Sequence, residues 1–287
     1  MEKNKIIDGK EISKKILYEL KVEAEKVREK TEYKAGLAVV LVGSDPASQI
    51  YVKKKRETCE KLGFYSEAYD LAEDTKESEL LALIKDLNEE PSIHGILVQL
   101  PLPKHIDENK IINAINPDKD VDVFHPINQA KVLLGDKNAP KPCTPAGVLE
   151  LLKRYEVEIA GKHAVIIGRS NIVGKPLSLM LLHENATVTI CHSKTKNISE
   201  IAKQADILIS AVGKENMVTA DMVKEGAIVI DVGTNRNKEG KLVGDIDYKN
   251  VYEVASLITP VPGGVGPMTI AMLMKNTFDA FRKIMKV

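Results

Sequence analysis

Cysteine is scarce in this chain, and neither sign of charge dominates it. Cys59, Cys143 and Cys191 are widely spaced and odd in number. They suit neither a disulfide framework nor a metal cluster, and they fit a reducing compartment. Lysine plus arginine and aspartate plus glutamate number 41 each. That balance argues against a nucleic-acid binder, which carries a basic excess. No apolar run approaches the roughly 20 residues of a membrane span. The opening stretch, MEKNKIIDGKEISKK, lacks the apolar core of a signal peptide and carries acids that a transit peptide avoids. The expectation is a soluble, cytoplasmic protein with no metal and with neither nucleic acid nor membrane as partner. Its 287 residues allow one large or two modest α/β domains.

Periodicity predicts a first helix over Lys10–Lys30, with Ile12, Ile16, Leu20 and Val27 on its apolar stripe. The continuous apolar run Gly36–Val42 predicts a buried parallel strand. Ala47–Leu62 reads as a helix with Gly63 just past its end. Tyr65–Leu71 is a weaker strand, Ser78–Asn88 a helix, Ile93–Leu100 a second buried strand and Glu108–Ile115 a short helix. Residues 116–142 lose periodicity and are expected to be irregular. Thr144 then suits an N-cap and Pro145 the first helical position. Strands follow near His163–Ile167, Thr187–Cys191, Ile207–Ser210 and Ala227–Val232, and a last helix covers Pro267–Lys286. The alternation predicts two βα layers with a break near Pro142–Thr144.

Ala164–Pro176, AVIIGRSNIVGKP, carries the clearest chemistry. A β-branched run ends at Gly168, and Gly174 opens a helix, as in a dinucleotide-binding turn. Free amides at the helix start are expected to face a pyrophosphate. The match is imperfect, because Ser170 replaces the middle glycine and Gly174 comes one residue late. Arg169 and Ser170 place a cation and a hydroxyl where phosphate would lie. After the next strand, His192-Ser193-Lys194-Thr195 has no acid to hold a ribose 2′-hydroxyl until Glu200, which favours NADP over NAD. The same stretch also reads as an exposed polar loop.

Other motifs leave two readings each. Tyr51 and Lys55 are i,i+4 neighbours on one helical face, with Ser48 a turn earlier. The run Lys53–Lys55 also reads as a solvated basic face. Gln99, in GILVQLPLP, is an amide at the carboxyl end of a strand, either a ligand contact or an exit into solvent. Asp118, Asp120 and Asp122 alternate, but calcium-loop glycine and glutamate positions are missing. A single carboxylate facing an amidine-like ligand edge fits better. TPVPGGVGPMT, residues 259–269, is a rigid loop that lines a pocket or makes a tight turn.

In order, YVKKK, GILVQLPLP, PDKDVD, KPCTPAG, GRSNIVGKP, CHSKT, DVGTN and PVPGGVGPMT span nearly the whole chain. Together they resemble the bacterial-type bifunctional methylenetetrahydrofolate dehydrogenase/methenyltetrahydrofolate cyclohydrolases. The resemblance implies an α/β fold of two βα domains with a cleft between them. Residues 1–143 would form a folate-binding catalytic domain, with 268–287 packing back on it. Residues 144–267 would form a Rossmann-like NADP-binding domain with a parallel sheet. It also implies a homodimer acting on tetrahydrofolate derivatives in one-carbon metabolism. The family's catalytic lysine falls on Lys55, its stacking tyrosine on Tyr51, its helper glutamine on Gln99 and its pterin-binding aspartate on Asp122. Its folate-contacting loop falls on Pro262, Gly263 and Gly264. Its cofactor positions fall on Gly168, Arg169, Ser170, Gly174, Ser193 and Thr234. Two positions depart from the family: Val123 stands where glycine is common, and Thr234 where isoleucine is common. If glycine there serves a conformation that valine disfavours, the Asp122 loop is expected to sit differently.

The implied chemistry suits these residue types. Hydride loss from a methylene carbon needs alignment more than a base. Hydrolysis of the methenyl cation needs a group that takes a proton from water, which a lysine does in its neutral form. An amide such as Gln99 cannot titrate, but it can hold that amine. A monofunctional dehydrogenase of the same fold, and a non-catalytic nucleotide sensor, are the competing readings.

Overall fold

The structure is a computed structural model that describes residues 5–287, the side chain of Ala47 excepted. The chain divides into two compact units. The first gathers Lys15–Lys131, Asn138–Cys143 and Ile270–Val287. The second gathers the residues up to Lys14, Val132–Lys137 and Thr144–Thr269.

The first unit takes in helix α1 (Gly9–Thr31) from Lys15 onward and is built on a three-stranded parallel sheet. Its centre is β1 (Gly36–Val42), buried at every residue, as its unbroken apolar run requires. After α2 (Pro46–Lys61), strand β2 (Tyr65–Leu71) pairs on one side of β1 and alternates exposed with half-buried residues, as an edge strand does. After α3 (Glu77–Glu89), β3 (Gly95–Val98) pairs on the other side. Ala38, Val40 and Val42 pack against Leu80, Ile84 and Leu87 of α3. The sequence predicted a strand to Leu100, but β3 stops at Val98. Helices α4 (Glu108–Ala114) and α5 (Pro126–Leu133) follow. Helix α5 lies within the stretch expected to be irregular; at eight residues it is too short to show a clear period.

The second unit carries a five-stranded parallel sheet. Its longest stretch opens within α6 (Cys143–Arg154), whose first residue is Cys143, so Thr144 is not its cap. The Thr144 hydroxyl instead lies 3.0 Å from that of Thr269. The sheet then follows as β4 (His163–Ile167), α7 (Gly174–His183), β5 (Thr187–Cys191), α8 (Ile198–Ala202), β6 (Ile207–Ser210) and β7 (Ile228–Asp231). A small hairpin, β8 (Asn235–Arg236) and β9 (Leu242–Val243), precedes α9 (Tyr248–Val254) and β10 (Leu257–Ile258). The order β10-β7-β6-β4-β5 puts β4 between β6 and β5, where the winding reverses. That reversal is the switch point at which such sheets bind ligands. Helix α10 (Val265–Met285) starts two residues before the expected Pro267 and ends in the first unit. There Phe278 stacks on Phe64, and Phe281 meets the edge of His94.

Candidate active site

The first unit gathers chemistry at the carboxyl edge of its sheet. Helix α2 starts cleanly because Asp45 accepts from the Ser48 N–H at 2.8 Å and Pro46 follows it. Its face then carries Tyr51 and Lys55 inward. Lys55 is only 6% exposed, while Lys53 and Lys54 are exposed, so the solvated-face reading fails for the one lysine that matters. Lys55 Nζ donates to Gln99 Oε1 at 3.0 Å. Gln99 lies one residue past β3, with its N–H on Val40 O at 2.9 Å. Its Nε2 donates to Leu100 O at 2.7 Å, which fixes the amide's orientation and turns its oxygen to the amine. Tyr51 is half-buried, and burial pushes its phenol up, so it stays neutral.

The three alternating aspartates have three separate fates. Asp118 is exposed and pairs with Lys283 at 2.7 Å. Asp120 is buried beside β3, bridged to Ile96. Its carboxylate accepts from the N–H groups of Val123 (3.0 Å), Phe124 (3.2 Å) and His125 (3.0 Å), and from Asn128 Nδ2 (3.0 Å). Burial raises its pKa, and these donors pull it back. They wrap residues 120–125 into a turn that leaves Asp122 half-buried and outside it. Val123 sits inside that turn at φ +65°, fully buried. A β-branched residue there costs about 1–3 kcal/mol. The loop therefore keeps the left-handed conformation that glycine would favour, although the residue is valine.

Cys143, not singled out from sequence, lies between these groups. Its thiol donates to Val121 O at 3.3 Å, and both Asp122 and Lys55 act on it electrostatically. Burial first, then Asp122, hold the thiol well above its ordinary pKa, so it is no nucleophile. Asn276 of α10 donates to Val121 O at 2.8 Å and Lys141 O at 2.9 Å, tying two backbone segments to that helix. Lys55, Gln99, Tyr51 and Asp122 thus share one unit, while Pro262, Gly263 and Gly264 belong to the other.

In the second unit the turn after β4 is as tight as its glycines suggest. Gly168 has φ +131°, and a Cβ there would lie 2.4 Å from Ala211 O. A Cβ on Gly174 would lie 2.2 Å from Gly168 O, so the late glycine is required after all. The expectation of free helix-start amides is corrected. Ser170 Oγ accepts from Val173 N at 3.2 Å and Gly174 N at 3.4 Å, and Ser170 O accepts from Lys175 N at 3.1 Å. Ser170 caps the helix from within, and its hydroxyl proton remains to donate. Arg169 is exposed beside it. After β5, His192 N donates to Thr195 Oγ1 at 2.9 Å, closing a turn with Ser193 and Lys194 exposed at its tip. Thr234 is exposed, following Gly233, whose N–H donates to the Asp231 carboxylate at 2.9 Å.

The sequence matches known families along most of its length. The tetrahydrofolate dehydrogenase/cyclohydrolase catalytic domain matches residues 7–122, and the NAD(P)-binding domain of the same family matches residues 142–285. The bifunctional protein FolD of Magnetococcus marinus is 56% identical over 278 residues, covering 97% of both chains. That of Acetivibrio thermocellus is 55% identical over 96% of both. The crystal structure of the Campylobacter jejuni bifunctional FolD dehydrogenase/cyclohydrolase superposes with a TM-score of 0.94 at 53% identity, over 97% of this chain and 99% of that one. The Trypanosoma brucei enzyme, complexed with NADP and an inhibitor, gives 0.96 at 38% identity over all of both chains. The chain belongs to the tetrahydrofolate dehydrogenase/cyclohydrolase family.

Proposed function

We propose that this chain oxidises 5,10-methylenetetrahydrofolate with NADP⁺ and hydrolyses the resulting 5,10-methenyltetrahydrofolate to 10-formyltetrahydrofolate. The observation that carries the reading is the buried Lys55 amine held on the Gln99 amide at 3.0 Å. A lysine oriented by a neutral amide, not locked to a carboxylate, is suited to proton transfer. Water attacks the methenyl carbon and passes a proton to the Lys55 amine. The bond from that carbon to N5 then breaks as the new hydroxyl becomes the formyl carbonyl, and the hydroxyl's proton passes to N5. Gln99 holds the amine and accepts from the attacking water. Asp122 accepts two parallel N–H bonds from the 2-amino-pyrimidinone edge, and Tyr51 stacks on the folate.

The second unit's residues fit NADP: an exposed cation and hydroxyl at the Gly168 turn, and Ser193 and Lys194 with no acid at the end of β5. Bound NADP⁺ supplies the hydride acceptor. Arg169 and Ser170 would hold its phosphates, Gly168 and Gly174 would let the backbone approach, and Ser193 would read the 2′-phosphate, with Thr234 a further contact. In this reading residues 1–143 with 268–287 serve folate, and 144–267 serve NADP. A cytoplasmic homodimer, feeding one-carbon units to biosynthesis, belongs to the same proposal. Among the described residues no helix is long and apolar enough to cross a membrane.

A spectroscopic time course with methylenetetrahydrofolate and NADP⁺ tests the proposal. NADPH together with 10-formyl product, formed faster than spontaneous hydrolysis, is expected. NADPH with methenyl product decaying at the spontaneous rate would leave a dehydrogenase alone.

A further inference from the structure

Two buried carboxylates of the second unit have no part in that scheme. Asp231 is 3% exposed and Asp245 is fully buried. Asp231 ends β7, and Asp245 lies between β9 and α9. Asp245 Oδ2 accepts from Ser210 Oγ at 3.0 Å, Val212 N at 2.8 Å and Gly213 N at 3.3 Å. Its Oδ1 accepts from Lys214 N at 2.9 Å and Asn235 Nδ2 at 3.0 Å. Asp231 Oδ1 accepts from the N–H of Gly233 at 2.9 Å and of Asp245 itself at 3.0 Å, and its Oδ2 from that of Ile246 at 3.0 Å. Two glycines make room for this. A Cβ at Gly233 would lie 2.1 Å from Asp245 Oδ1, and one at Gly244 would lie 1.9 Å from Asp231 Oδ2. These donors are amides and a hydroxyl, so backbone N–H groups satisfy the buried carboxyl oxygens.

The consequence is positional. Asp245 fixes the loop after β6, residues 211–214, and through Asn235 the loop after β7. Both loops sit at the carboxyl edge, on the β6 side of the switch point beside β4. Ala211 O lies against the Gly168 turn. If Ser193 after β5 reads the adenosine half, the other half of the dinucleotide must extend over the loops after β6 and β7. We propose that Asp245 is a positioning residue for the nicotinamide half of the cofactor. It draws three consecutive N–H groups onto its own oxygens, which sets where the loop's other face and carbonyls point. Asp231 seats Asp245 from below. The inference rests on the dinucleotide reading given above.

Calorimetric titration with two probes, NADP⁺ and 2′,5′-ADP, tests it on the wild type, Asp245→Asn and Ser210→Ala. The second probe carries only the adenosine half. A cooperative thermal melt reports whether each variant is folded, and cofactor-free hydrolysis of methenyltetrahydrofolate, carried by residues of the first unit, reads a site that Asp245 does not touch. Ser210→Ala removes one bond to Asp245, and its NADP⁺ Kd should rise about fivefold, as expected for one hydrogen bond. Asp245→Asn should raise it further, while the 2′,5′-ADP Kd and the hydrolysis rate stay within about twofold of wild type. Should Asp245→Asn fail to fold, Ser210→Ala carries the test. An unchanged NADP⁺ Kd in every folded variant overturns the inference, and so does equal weakening of both probes. A wild-type chain that binds neither probe overturns the dinucleotide reading, and this inference with it.

Discussion

Lys55 Nζ stands 3.0 Å from Gln99 Oε1, and the other end of that amide is anchored on Leu100 O at 2.7 Å. The amide is thereby fixed with its acceptor toward the amine. Gln99→Ala should lower the hydrolysis rate about tenfold by freeing the amine, with NADP⁺ affinity unchanged. Gln99→Glu should do more harm, because a carboxylate at this place holds the amine protonated and shifts the pH–rate profile upward. A profile and rate identical to wild type in both variants would contradict the role given to Gln99.

Asp120 sets the loop that presents Asp122. Asp120→Asn keeps the size but leaves one acceptor where two oxygens now serve four donors. The expected loss is roughly 2–3 kcal/mol of stability, since buried N–H groups go unpaired. The KM for folate should rise while the Kd for NADP⁺ holds. Thermal melts and steady-state kinetics check the pair of outcomes; an unchanged KM would show that Asp122 is placed by other contacts.

Ser193→Asp should move preference from NADP⁺ toward NAD⁺, because a carboxylate at the exposed tip after β5 repels a 2′-phosphate. The ratio of kcat/KM for the two cofactors reads this directly. An unmoved ratio would show that the phosphate is read elsewhere, with Arg169 the next residue to change.

His94 gives the first unit an acid limit. Its Nδ1 accepts the Gly36 N–H at 3.0 Å, and burial, then Lys119, lower its pKa from 6.5 to about 4. The folded state thus binds this proton less tightly than the unfolded one. Its stabilising contribution is complete above pH 6.5 and is lost as the pH falls toward 4. Between pH 7 and pH 5 the loss is about 2 kcal/mol. Asp231, raised to about 6 chiefly by burial, has the opposite sign and gains stability as the pH falls through that value. His94→Asn keeps an acceptor for Gly36 and does not titrate. The drop in Tm from pH 7 to pH 5 should be smaller in this variant than in wild type; equal drops would contradict the account.

Local pattern made much of this molecule legible. The bounds of β1, β4 and β6 follow from their apolar runs, because a parallel strand buried on both faces leaves an unbroken signature. Lys55 and Tyr51 were legible as a pair through helical spacing, but spacing could not say that Lys55 is buried and Lys53 is not. That depends on β1 and β2, which lie elsewhere in sequence. Val123 raised a doubt that backbone geometry removes, since Asp120 holds the turn from within. Asp231 opens the DVGTN motif, but its role and that of Asp245 were illegible because each serves loops from different strands. Their signature, two aspartates each near a glycine, looks like any polar turn. The Ser170 cap was missed for a simpler reason, that a hydroxyl expected to face a ligand was accepting from its own helix.

The most direct test of the central claim is the hydrolysis of methenyltetrahydrofolate by Lys55→Met, followed without cofactor and set beside a titration with NADP⁺. The account predicts a rate no faster than spontaneous hydrolysis, with the NADP⁺ Kd of wild type. Hydrolysis near the wild-type rate would show that Lys55 does not carry the proton, and the site built around it would have to be reassigned.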